Sequence, residues 1–318
     1  MQMLNAEQIL TGVPFPKMVE ALGKMHQEPI GLVDEMLMEH HDDKNNSNHF
    51  YIRCGWQPEK AVGAKVITVF PRNNQKQTHP SIQAVYVLFE AVDGAPIACL
   101  DGTALTWIKT ASDSALGSSL LSNPQCGSMT MIGAGQMAPF LIRAHCEIRP
   151  SIKQIGIWNR SMSKAEALAE LLQPDLPEIR IEPVLSLESS VRESDLICSA
   201  VNVTEPVIRG EWLKPGVHLD LVGAYRPEMR EADDLCLQRG RLFVDARETT
   251  IDHIGELIIP LAKGVIDRSD ILADLSDLCT GNHPGRESAD EITVFKNGGG
   301  GHLDLMCAQI LYQYCESA

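Results

Sequence analysis

The sequence predicts an α/β protein in which a Rossmann-type doubly wound domain is combined with a discontinuous α+β domain. Three observations lead to this fold class. Strand-like runs joined by a hairpin signal fill much of the first third, strands and helices alternate from about residue 128, and an apolar helix closes the chain. We therefore place one domain at 1–122, completed by the C-terminal helix at 299–318, and the other at 123–298.

The first domain is predicted to contain helices followed by a mostly antiparallel sheet. Residues 16–25 and 31–39 have apolar side chains at helix-like spacing. Strand-like runs follow, and the dipeptide Asp93-Gly94 between two of them is a strong hairpin signal. The runs cover 50–53, 64–70, 84–92 and 95–100.

The second domain is predicted from the alternation of short apolar strands with helices. A strand over 129–132 leads into a helix over 136–146, and a strand over 154–158 leads into a helix over 163–172. This order is typical of a parallel sheet that is buried on both faces. Further apolar runs that suit such a sheet cover 196–201, 217–222 and 242–244.

The charge and cysteine content exclude several classes of partner. With 27 basic and 42 acidic residues, the chain has a net charge of -15, which would repel nucleic acid and anionic lipid. No apolar run reaches the about 18 residues needed to cross a bilayer, and the N-terminus lacks the features of a signal peptide.

The nine cysteines are dispersed without a CxxC pair, so we expect reduced thiols, a cytoplasmic protein and no metal site.

A nucleotide-binding signature follows the first strand of the second domain. The turn Gly133-Ala134-Gly135-Gln136-Met137-Ala138 fits GxGxxA between a strand and a helix. Gly133 permits the tight turn, Gly135 lets the backbone approach a pyrophosphate, and the small Ala138 permits close packing of the helix on the strand. A GxGxxA pattern alone is weak evidence, but its place within a βαβ unit predicts a dinucleotide site.

The end of the second strand indicates which dinucleotide is bound. An NAD site usually places a carboxylate there for the ribose 2′-hydroxyl, whereas an Arg suits a 2′-phosphate. This chain has Asn159, Arg160 and Ser161 at that point and no carboxylate. We therefore predict NADPH as the cofactor, with NADH as a weaker possibility; the alternative is that Arg160 is only a solvated loop residue.

Three cationic residues accompany the strands of the first domain. Arg53 shares a strand face with Tyr51 because side chains alternate along a strand, while Lys65 and Lys109 come later. Taken singly, such a residue is more often a solvated charge at a sheet edge. Their position ahead of a nucleotide-binding domain only modestly favours a shared anion-binding site over three solvated charges.

With these motifs in order, the chain resembles the ornithine cyclodeaminase/mu-crystallin family. The matching segments spread over nearly the whole chain. They include Gly63-Ala64-Lys65-Val66, Asp101-Gly102, Lys109-Thr110-Ala111, Ile132-Gly133-Ala134-Gly135-Gln136, Pro215-Gly216-Val217-His218, Gly223-Ala224, Arg230-Glu231, Pro284-Gly285-Arg286, Ile292-Thr293-Val294-Phe295-Lys296 and Leu303-Asp304.

The resemblance implies a homodimer whose first domain binds the substrate and forms the dimer. By position, Arg53 and Lys65 match the cations that hold a substrate carboxylate in the family. Lys109 stands where the family usually has Arg, so the planar fork that binds a carboxylate in two places is missing. The pKa values of clustered cations fall, so Lys65 is a candidate proton donor; the alternative is that it only binds the carboxylate.

The resemblance also assigns residues to the cofactor. Thr110 is expected near the cofactor, and the loop from Lys296 to Gly300, which includes Gly298, near the nicotinamide. We also assign Val201, Asn202 and Gly223 to the cofactor site.

A departure from the family pattern disfavours one of the family's activities, ornithine cyclodeamination. Ornithine cyclodeaminases carry an Asp where this chain has Tyr225, just after Gly223-Ala224. That Asp serves the proton chemistry of deamination, and its absence resembles the family's reductases of cyclic imino acids. Tyr225 either lines the substrate pocket or is a packed aromatic residue.

The function implied by the resemblance is therefore NADPH-dependent ketimine reduction, with a small cyclic imino acid as the substrate. Hydride transfer to Δ1-pyrroline-2-carboxylate gives L-proline, and transfer to Δ1-piperideine-2-carboxylate gives L-pipecolate. Three alternatives remain open: reductive amination of a 2-oxo acid as in alanine dehydrogenase-type relatives, ornithine cyclodeamination, and ligand binding as in mu-crystallin.

Overall fold

The computed structural model describes residues 1–42, 47–73 and 79–317, and the chain divides into two compact units. The first unit comprises Met1–Thr110 with Gly300–Ala318, and the second comprises Ala111–Gly299. The division falls inside a helix, Gly102–Leu121, whereas the sequence-based boundary lies at 122, after that helix. One mixed sheet and one parallel sheet with helices confirm the predicted α/β fold class.

The first unit is built on a six-stranded sheet with the order β1-β6-β5-β4-β3-β2. Strands β2 to β6 are antiparallel neighbours, and β1 pairs with β6 in parallel. The strands are β1 Gln2–Leu4, β2 Leu32–His41, β3 Ser47–Gln57, β4 Ala61–Val69, β5 Ile82–Glu90 and β6 Pro96–Asp101. The helices are α1 Ala6–Gly12, α2 Phe15–Met25 and α3 Gly102–Leu121, which runs on into the second unit, and, at the end of the chain, α11 Gly301–Ser317.

One predicted helix is wrong. Residues 31–39 have helix-like spacing, but β2 is a strand that pairs with β3 from Leu32 opposite Trp56 to His41 opposite Ser47. A ladder of hydrogen bonds to a neighbouring strand outweighs the weak helical pattern, because tertiary pairing overrides local preference. All ten residues of β2 are exposed, so the apolar spacing does not mark a face buried in this unit.

The closing helix α11 packs against β3 and β4 in the first unit. Two glycines permit this close approach. A Cβ on Gly55 would lie 2.7 Å from the carbonyl oxygen of Gly301, and one on Gly301 would lie 2.2 Å from that of Cys54. The first turn of α11 is thereby held against β3, the strand next to the sheet edge.

The second unit contains an eight-stranded parallel sheet with the order β13-β12-β14-β11-β10-β7-β8-β9. The order reverses between β7 and β10, which is the point at which open α/β sheets bind ligands beyond their carboxyl ends. The strands are β7 Ser128–Ile132, β8 Gln154–Trp158, β9 Arg180–Pro183, β10 Leu196–Ser199, β11 His218–Leu221, β12 Arg241–Val244, β13 Ile271–Ala273 and β14 Thr293–Lys296. The helices are α4 Ala138–Ile148, α5 Met162–Leu172, α6 Leu187–Glu193, α7 Asp234–Arg239, α8 Arg247–Thr250, α9 Gly255–Ala262 and α10 Leu275–Thr280, with short 3₁₀ turns at Gly210–Trp212 and Arg268–Asp270.

Strands β7, β10 and β11 are buried along most or all of their length, as a sheet covered on both faces requires. Among the described residues, none of the helices combines the length and the apolar character needed to cross a membrane.

Candidate functional site

A cluster of cationic side chains lies in the first unit. Arg53 and Lys65 are direct partners across β3 and β4, so their side chains share a face of the sheet. Lys109 lies on α3. Lys65 is only 3% exposed and Lys109 only 4%. Three residues predicted to hold a substrate carboxylate are thus brought close together in the folded unit.

A buried carboxylate that sequence reasoning missed belongs to this cluster. Asp304, in the first turn of α11, accepts a hydrogen bond from Lys65 Nζ at 2.8 Å from its Oδ1 atom. Thr106 Oγ1 lies 3.4 Å from the same Nζ atom. Leu303-Asp304 is one of the segments that carry the family resemblance, but nothing in local spacing links it to Lys65.

The electrostatics of the cluster follow from burial and proximity. Burial lowers the pKa of Lys65 to about 8; Asp304 acts in the opposite direction, while Lys109 and Arg53 lower it further. Burial alone would raise the pKa of Asp304, but Lys65, Lys109 and Arg53 together hold it below its ordinary value. At neutral pH the cluster therefore contains an ionised carboxylate and a lysine whose proton is easily exchanged.

Arg53 is oriented by its own strand and by β2. Its Nη2 donates to the hydroxyl oxygen of Tyr51 at 3.0 Å, which confirms that the two side chains share a face. Its Nε lies 3.5 Å from Oε2 of Glu35, which also accepts a hydrogen bond from the Tyr51 hydroxyl. The guanidinium is thus fixed at one edge and retains other donors for an anion.

In the second unit, the GxGxxA turn has the conformation that its glycines predict. Gly133 has φ +105° and its N–H donates to the carbonyl of Trp158 at 2.8 Å. A Cβ on Gly135 would meet nothing within 4 Å, so the space over this backbone is open. Ala138 is buried at the start of α4, where no side chain caps the helix. The turn therefore offers an open backbone and a helix N-terminus to a phosphate group.

The turn after β8 is tied to the glycine turn by Asn159. Its Oδ1 accepts a hydrogen bond from Ala134 N at 3.3 Å, and its Nδ2 donates to the carbonyl of Ser161 at 2.9 Å. Arg160 and Ser161 are both exposed, as is Gln136, while Met137 is half-buried. The three residues at the end of β8 thus flank the predicted dinucleotide site without a carboxylate.

The loops after β10 and β11 touch each other. A Cβ on Gly223 would lie 2.3 Å from the carbonyl oxygen of Val201 and 2.4 Å from its nitrogen. Glycine is therefore required for this approach. Asn202, the next residue of the β10 loop, is exposed. Val201, Asn202 and Gly223 thus lie at the carboxyl ends of central strands, as ligand-binding loops in this fold do.

The loop after β14 is shaped by two buried side chains. Lys296 Nζ donates to the carbonyls of Leu221 and Asn297 at 2.8 and 2.7 Å. Asp245, which sequence reasoning missed, accepts hydrogen bonds from the backbone nitrogens of Gly298 and Gly299 at 2.8 and 2.5 Å. The ammonium of Lys296 thus donates its hydrogen bonds to backbone carbonyls of the second unit. The contacts of Lys296 and Gly298 with a cofactor stay a prediction.

Two further predicted residues occupy different environments. Tyr225 is 55% exposed, and the guanidinium of Arg226 lies over its ring at 5.2 Å from the centroid. The ring is therefore not a packed core residue of the second unit. Thr110 is half-buried on α3, at the end of the first stretch of the first unit. Their roles towards substrate and cofactor stay predictions.

One buried group in the second unit resembles a metal-binding set. Within the part of the chain that the structure describes, the ligand atoms of His145, Cys198 and Asp220 lie within 4.8 Å of one another. Asp220 Oδ2 lies 3.2 Å from His145 Nε2 and 3.1 Å from Cys198 Sγ, and Ser114 donates to its Oδ1 at 3.1 Å. These hydrogen bonds satisfy the buried carboxylate without an ion.

Comparison with known proteins agrees with these features. The Δ1-pyrroline-2-carboxylate reductase of Paracoccus denitrificans is 43% identical over 259 residues, which cover 81% of each chain. The ketimine reductase mu-crystallin of Mus musculus is 33% identical over 257 residues, covering 80% of this chain and 76% of the mouse protein.

A solved structure is similar along the whole chain. The Δ1-pyrroline-2-carboxylate reductase of Thermococcus litoralis, in complex with NADH and L-proline, has a TM-score of 0.89 and 28% identity, and the match covers 100% of this chain and 98% of that one. The model of the ornithine cyclodeaminase/mu-crystallin family matches residues 51–318. The chain belongs to the ornithine cyclodeaminase/mu-crystallin family.

Proposed function

We propose that this protein is a nicotinamide-dependent reductase that acts on the C=N bond of a small cyclic ketimine carboxylate. The observation that carries the proposal is the cluster of the half-buried Arg53 with the buried Lys65, Lys109 and Asp304, in a chain that also has the GxGxxA turn. Two relatives support it: the protein from Paracoccus denitrificans is named a Δ1-pyrroline-2-carboxylate reductase, and the mouse protein is named a ketimine reductase. The preferred substrate is Δ1-pyrroline-2-carboxylate, which is reduced to L-proline.

In the proposed mechanism the cationic cluster holds the substrate carboxylate. Arg53 and Lys109 supply fixed positive charge, and Lys65 adds a third donor. Two carboxylates of the protein lie against the three cations, Asp304 at Lys65 and Glu35 at Arg53, so one positive charge is left for a substrate anion to balance. Holding the ring in one orientation converts the reaction into an effectively intramolecular step.

When bound, the cofactor supplies the hydride, which adds to the imine carbon while the electron pair of the C=N bond moves to nitrogen. The nitrogen must therefore be protonated before or during the transfer. Lys65, with a pKa of about 8, is largely protonated at neutral pH and can give up that proton. Asp304 stabilises its protonated form before each turnover.

We propose NADPH as the preferred cofactor, with NADH used more weakly. The exposed Arg160 and Ser161 can bind a ribose 2′-phosphate, and the absence of a carboxylate among the residues that end β8 removes a group that would repel it. The relative from Thermococcus litoralis was solved with NADH, so the two dinucleotides must be compared directly.

We also propose that the protein is a homodimer that uses β2 in its interface. This strand forms one edge of its sheet, and its exposed apolar side chains lie along its length. An exposed apolar edge promotes aggregation unless it is covered, and a second copy would cover it. The exposed side chains are Leu32, Val33, Met36, Leu37 and Met38.

A cytoplasmic location is proposed from the thiols. All nine cysteines lie within the described residues, and none of them forms a disulfide there. This state suits a reducing compartment.

The experiment that tests the function compares substrates under one set of conditions. Oxidation of NADPH is followed by absorbance with Δ1-pyrroline-2-carboxylate, with Δ1-piperideine-2-carboxylate, and with pyruvate plus ammonia. Cyclodeamination of L-ornithine causes no net oxidation or reduction of the cofactor, so it is followed by the release of ammonia in the presence of oxidised cofactor. We expect rapid turnover with the five-membered cyclic imine and slower turnover with the six-membered one. Turnover of pyruvate plus ammonia or of ornithine, with none of the cyclic imines, would overturn the proposal.

A further inference from the structure

A buried carboxylate joins the two loops that follow the central strands β10 and β11. Glu231 is fully buried, and its Oε1 accepts hydrogen bonds from Ser199 Oγ at 2.6 Å and from Val201 N at 3.2 Å. Its Oε2 accepts a hydrogen bond from Ala224 N at 2.9 Å. One side chain thus binds the end of β10, the loop after β10 and the loop after β11.

Glu231 is itself held in place by its surroundings. Its backbone N–H donates to Oε2 of Glu256 at 2.7 Å, and the N–H of Ala232 donates to Oε1 of the same carboxylate at 3.1 Å. The carbonyl of Glu231 accepts hydrogen bonds from Val207 and Ile208, both at 3.0 Å. Because the backbone of Glu231 is held through both its N–H and its carbonyl, its side-chain carboxylate can set the position of the groups that it binds.

The two loops lie where the cofactor is expected. Strand β10 is the neighbour of β7, whose carboxyl end carries the glycine turn, and β11 follows next to β10. Gly223 lies against Val201 so closely that a Cβ there would also meet Oε1 of Glu231 at 2.7 Å. The spacing between the loops is therefore set by this carboxylate together with the missing side chain of Gly223.

We propose that Glu231 is a positioning residue. Its ionised carboxylate holds the loop after β10, at Val201, and the loop after β11, at Ala224, in the form that binds the nicotinamide cofactor. The inference rests on the proposed function, because it assumes that a nicotinamide dinucleotide binds at these loops. Protonation of Glu231 replaces an acceptor by a donor. The Ser199 hydroxyl can rotate to accept the new proton, but the backbone N–H groups of Val201 and Ala224 can only donate, so their hydrogen bonds weaken and the loops loosen.

The charges that face Glu231 place this proton exchange near neutral pH. Burial raises the pKa of Glu231 to about 7, Lys296 on β14 lowers it, and Glu256 on α9 raises it. Arg230 lies beside Glu256, with its Nε 4.0 Å from Oε1 of that residue. Because the ionised form holds the loops, cofactor affinity is expected to be full above pH 7 and to fall as the pH drops through 7.

The test measures the dissociation constant of NADPH from the whole protein, without substrate, between pH 6 and pH 8. If only the ionised form binds, affinity falls about tenfold from pH 8 to pH 6, since a group of pKa about 7 is mostly protonated at the lower value. The variant Glu231→Gln should bind more weakly at pH 8 and show little of this dependence. The titration of the 2′-phosphate of NADPH is common to both proteins and cancels in their ratio.

Two further variants separate positioning from a general loss of structure. In Ser199→Ala a hydrogen bond that lowers the pKa of Glu231 is removed, so the midpoint of the affinity loss should move to higher pH. Asp195→Asn is the matched control. Asp195 also binds backbone nitrogens, those of Gly127 and Ser128, but at the opposite ends of the strands, and this variant should keep the wild-type pH dependence.

Equal NADPH affinity and equal pH dependence in wild type and Glu231→Gln would overturn the inference. The inference would also be overturned if the pH midpoint of NADPH affinity were the same in wild type and in Ser199→Ala. This comparison does not depend on whether a Glu231 variant folds. NADPH binding with the expected pH dependence, but without turnover of any cyclic imine, would support the positioning role while the proposed reaction fails. Absence of NADPH and NADH binding at every pH would overturn both.

Discussion

Lys65 and Asp304 form a buried ion pair across 239 positions of the chain, with Nζ 2.8 Å from Oδ1. The pair joins β4 to the first turn of α11, and both side chains are almost fully enclosed. Breaking such a pair on one side leaves a buried charge without a partner, which is strongly unfavourable. The lysine can nevertheless exchange its proton, because burial brings its pKa down to about 8.

The ionisation of Lys65 predicts the pH dependence of the reaction. The protonated lysine is the form that binds the carboxylate and donates the proton, so kcat/KM should fall as the pH rises through about 8. In Asp304→Asn the charge that raises the pKa of Lys65 is lost, and this fall should move to lower pH. The measurement is a profile of kcat/KM for the cyclic imine from pH 6 to pH 10.

Lys65→Arg is the control for this profile. Arginine keeps its charge throughout the range, so the fall near pH 8 should disappear even if the rate is reduced. A wild-type profile that stays flat to pH 10, or an unchanged profile in Asp304→Asn, would show that Lys65 does not titrate in the reaction.

Replacement of Arg53 tests the carboxylate site. Hydrogen bonds to charged groups contribute about 1.5–3 kcal/mol each, so Arg53→Ala should raise the KM for the cyclic imine by roughly tenfold to a hundredfold. The affinity for NADPH should be unchanged. Arg180→Ala is a suitable control, because Arg180 is exposed and pairs with Glu182 at the surface of the other unit. Unchanged KM in Arg53→Ala would remove this residue from the site.

The dinucleotide preference depends on the turn after β8. Arg160→Asp should weaken NADPH binding by about tenfold or more, because a carboxylate there repels the 2′-phosphate and can accept from the 2′-hydroxyl of NADH. NADH binding should be unchanged or improved. Dissociation constants for both dinucleotides, measured on both proteins, give the result. A loss of equal size for the two would show that Arg160 does not contact the 2′-phosphate.

The edge strand β2 is tested through the oligomeric state. Leu37→Lys places a charge in the middle of the exposed apolar strand and should convert a homodimer into a monomer in analytical ultracentrifugation. Leu185→Lys is the matched control, since Leu185 is 85% exposed in the second unit and should leave the dimer intact. A wild-type protein that is monomeric, or a Leu37→Lys variant that stays dimeric, would contradict the proposed interface.

Local patterns in the sequence were sufficient for much of the architecture. The predicted strand over 154–158 matches β8, and the hairpin at Asp93-Gly94 joins β5 to β6 as expected. The helix over 163–172 begins within one residue of α5. These features depend on neighbours in the chain, so alternation, turn chemistry and apolar spacing are enough to reveal them.

The same local patterns were not sufficient where distant partners decide the structure. Residues 31–39 became a strand because β3 provides a full ladder of hydrogen bonds. Strands β9 and β13, the two edge strands of the parallel sheet, were not predicted, although the equally short β10, β11 and β12 were predicted from their continuous apolar runs. Strand β9, Arg180–Pro183, contains no such run, and β13 has only three residues.

The sequence by itself determined the glycine turn, the absence of a carboxylate after β8 and the cationic residues that suit an anion, because these are properties of residue type and close spacing. Only the tertiary structure decided that Asp304 pairs with Lys65, that Asp245 holds the Gly298 loop and that Glu231 joins the loops after β10 and β11. The physical reason is that a buried carboxylate is defined by the donors around it, and in the folded chain those donors come from distant segments.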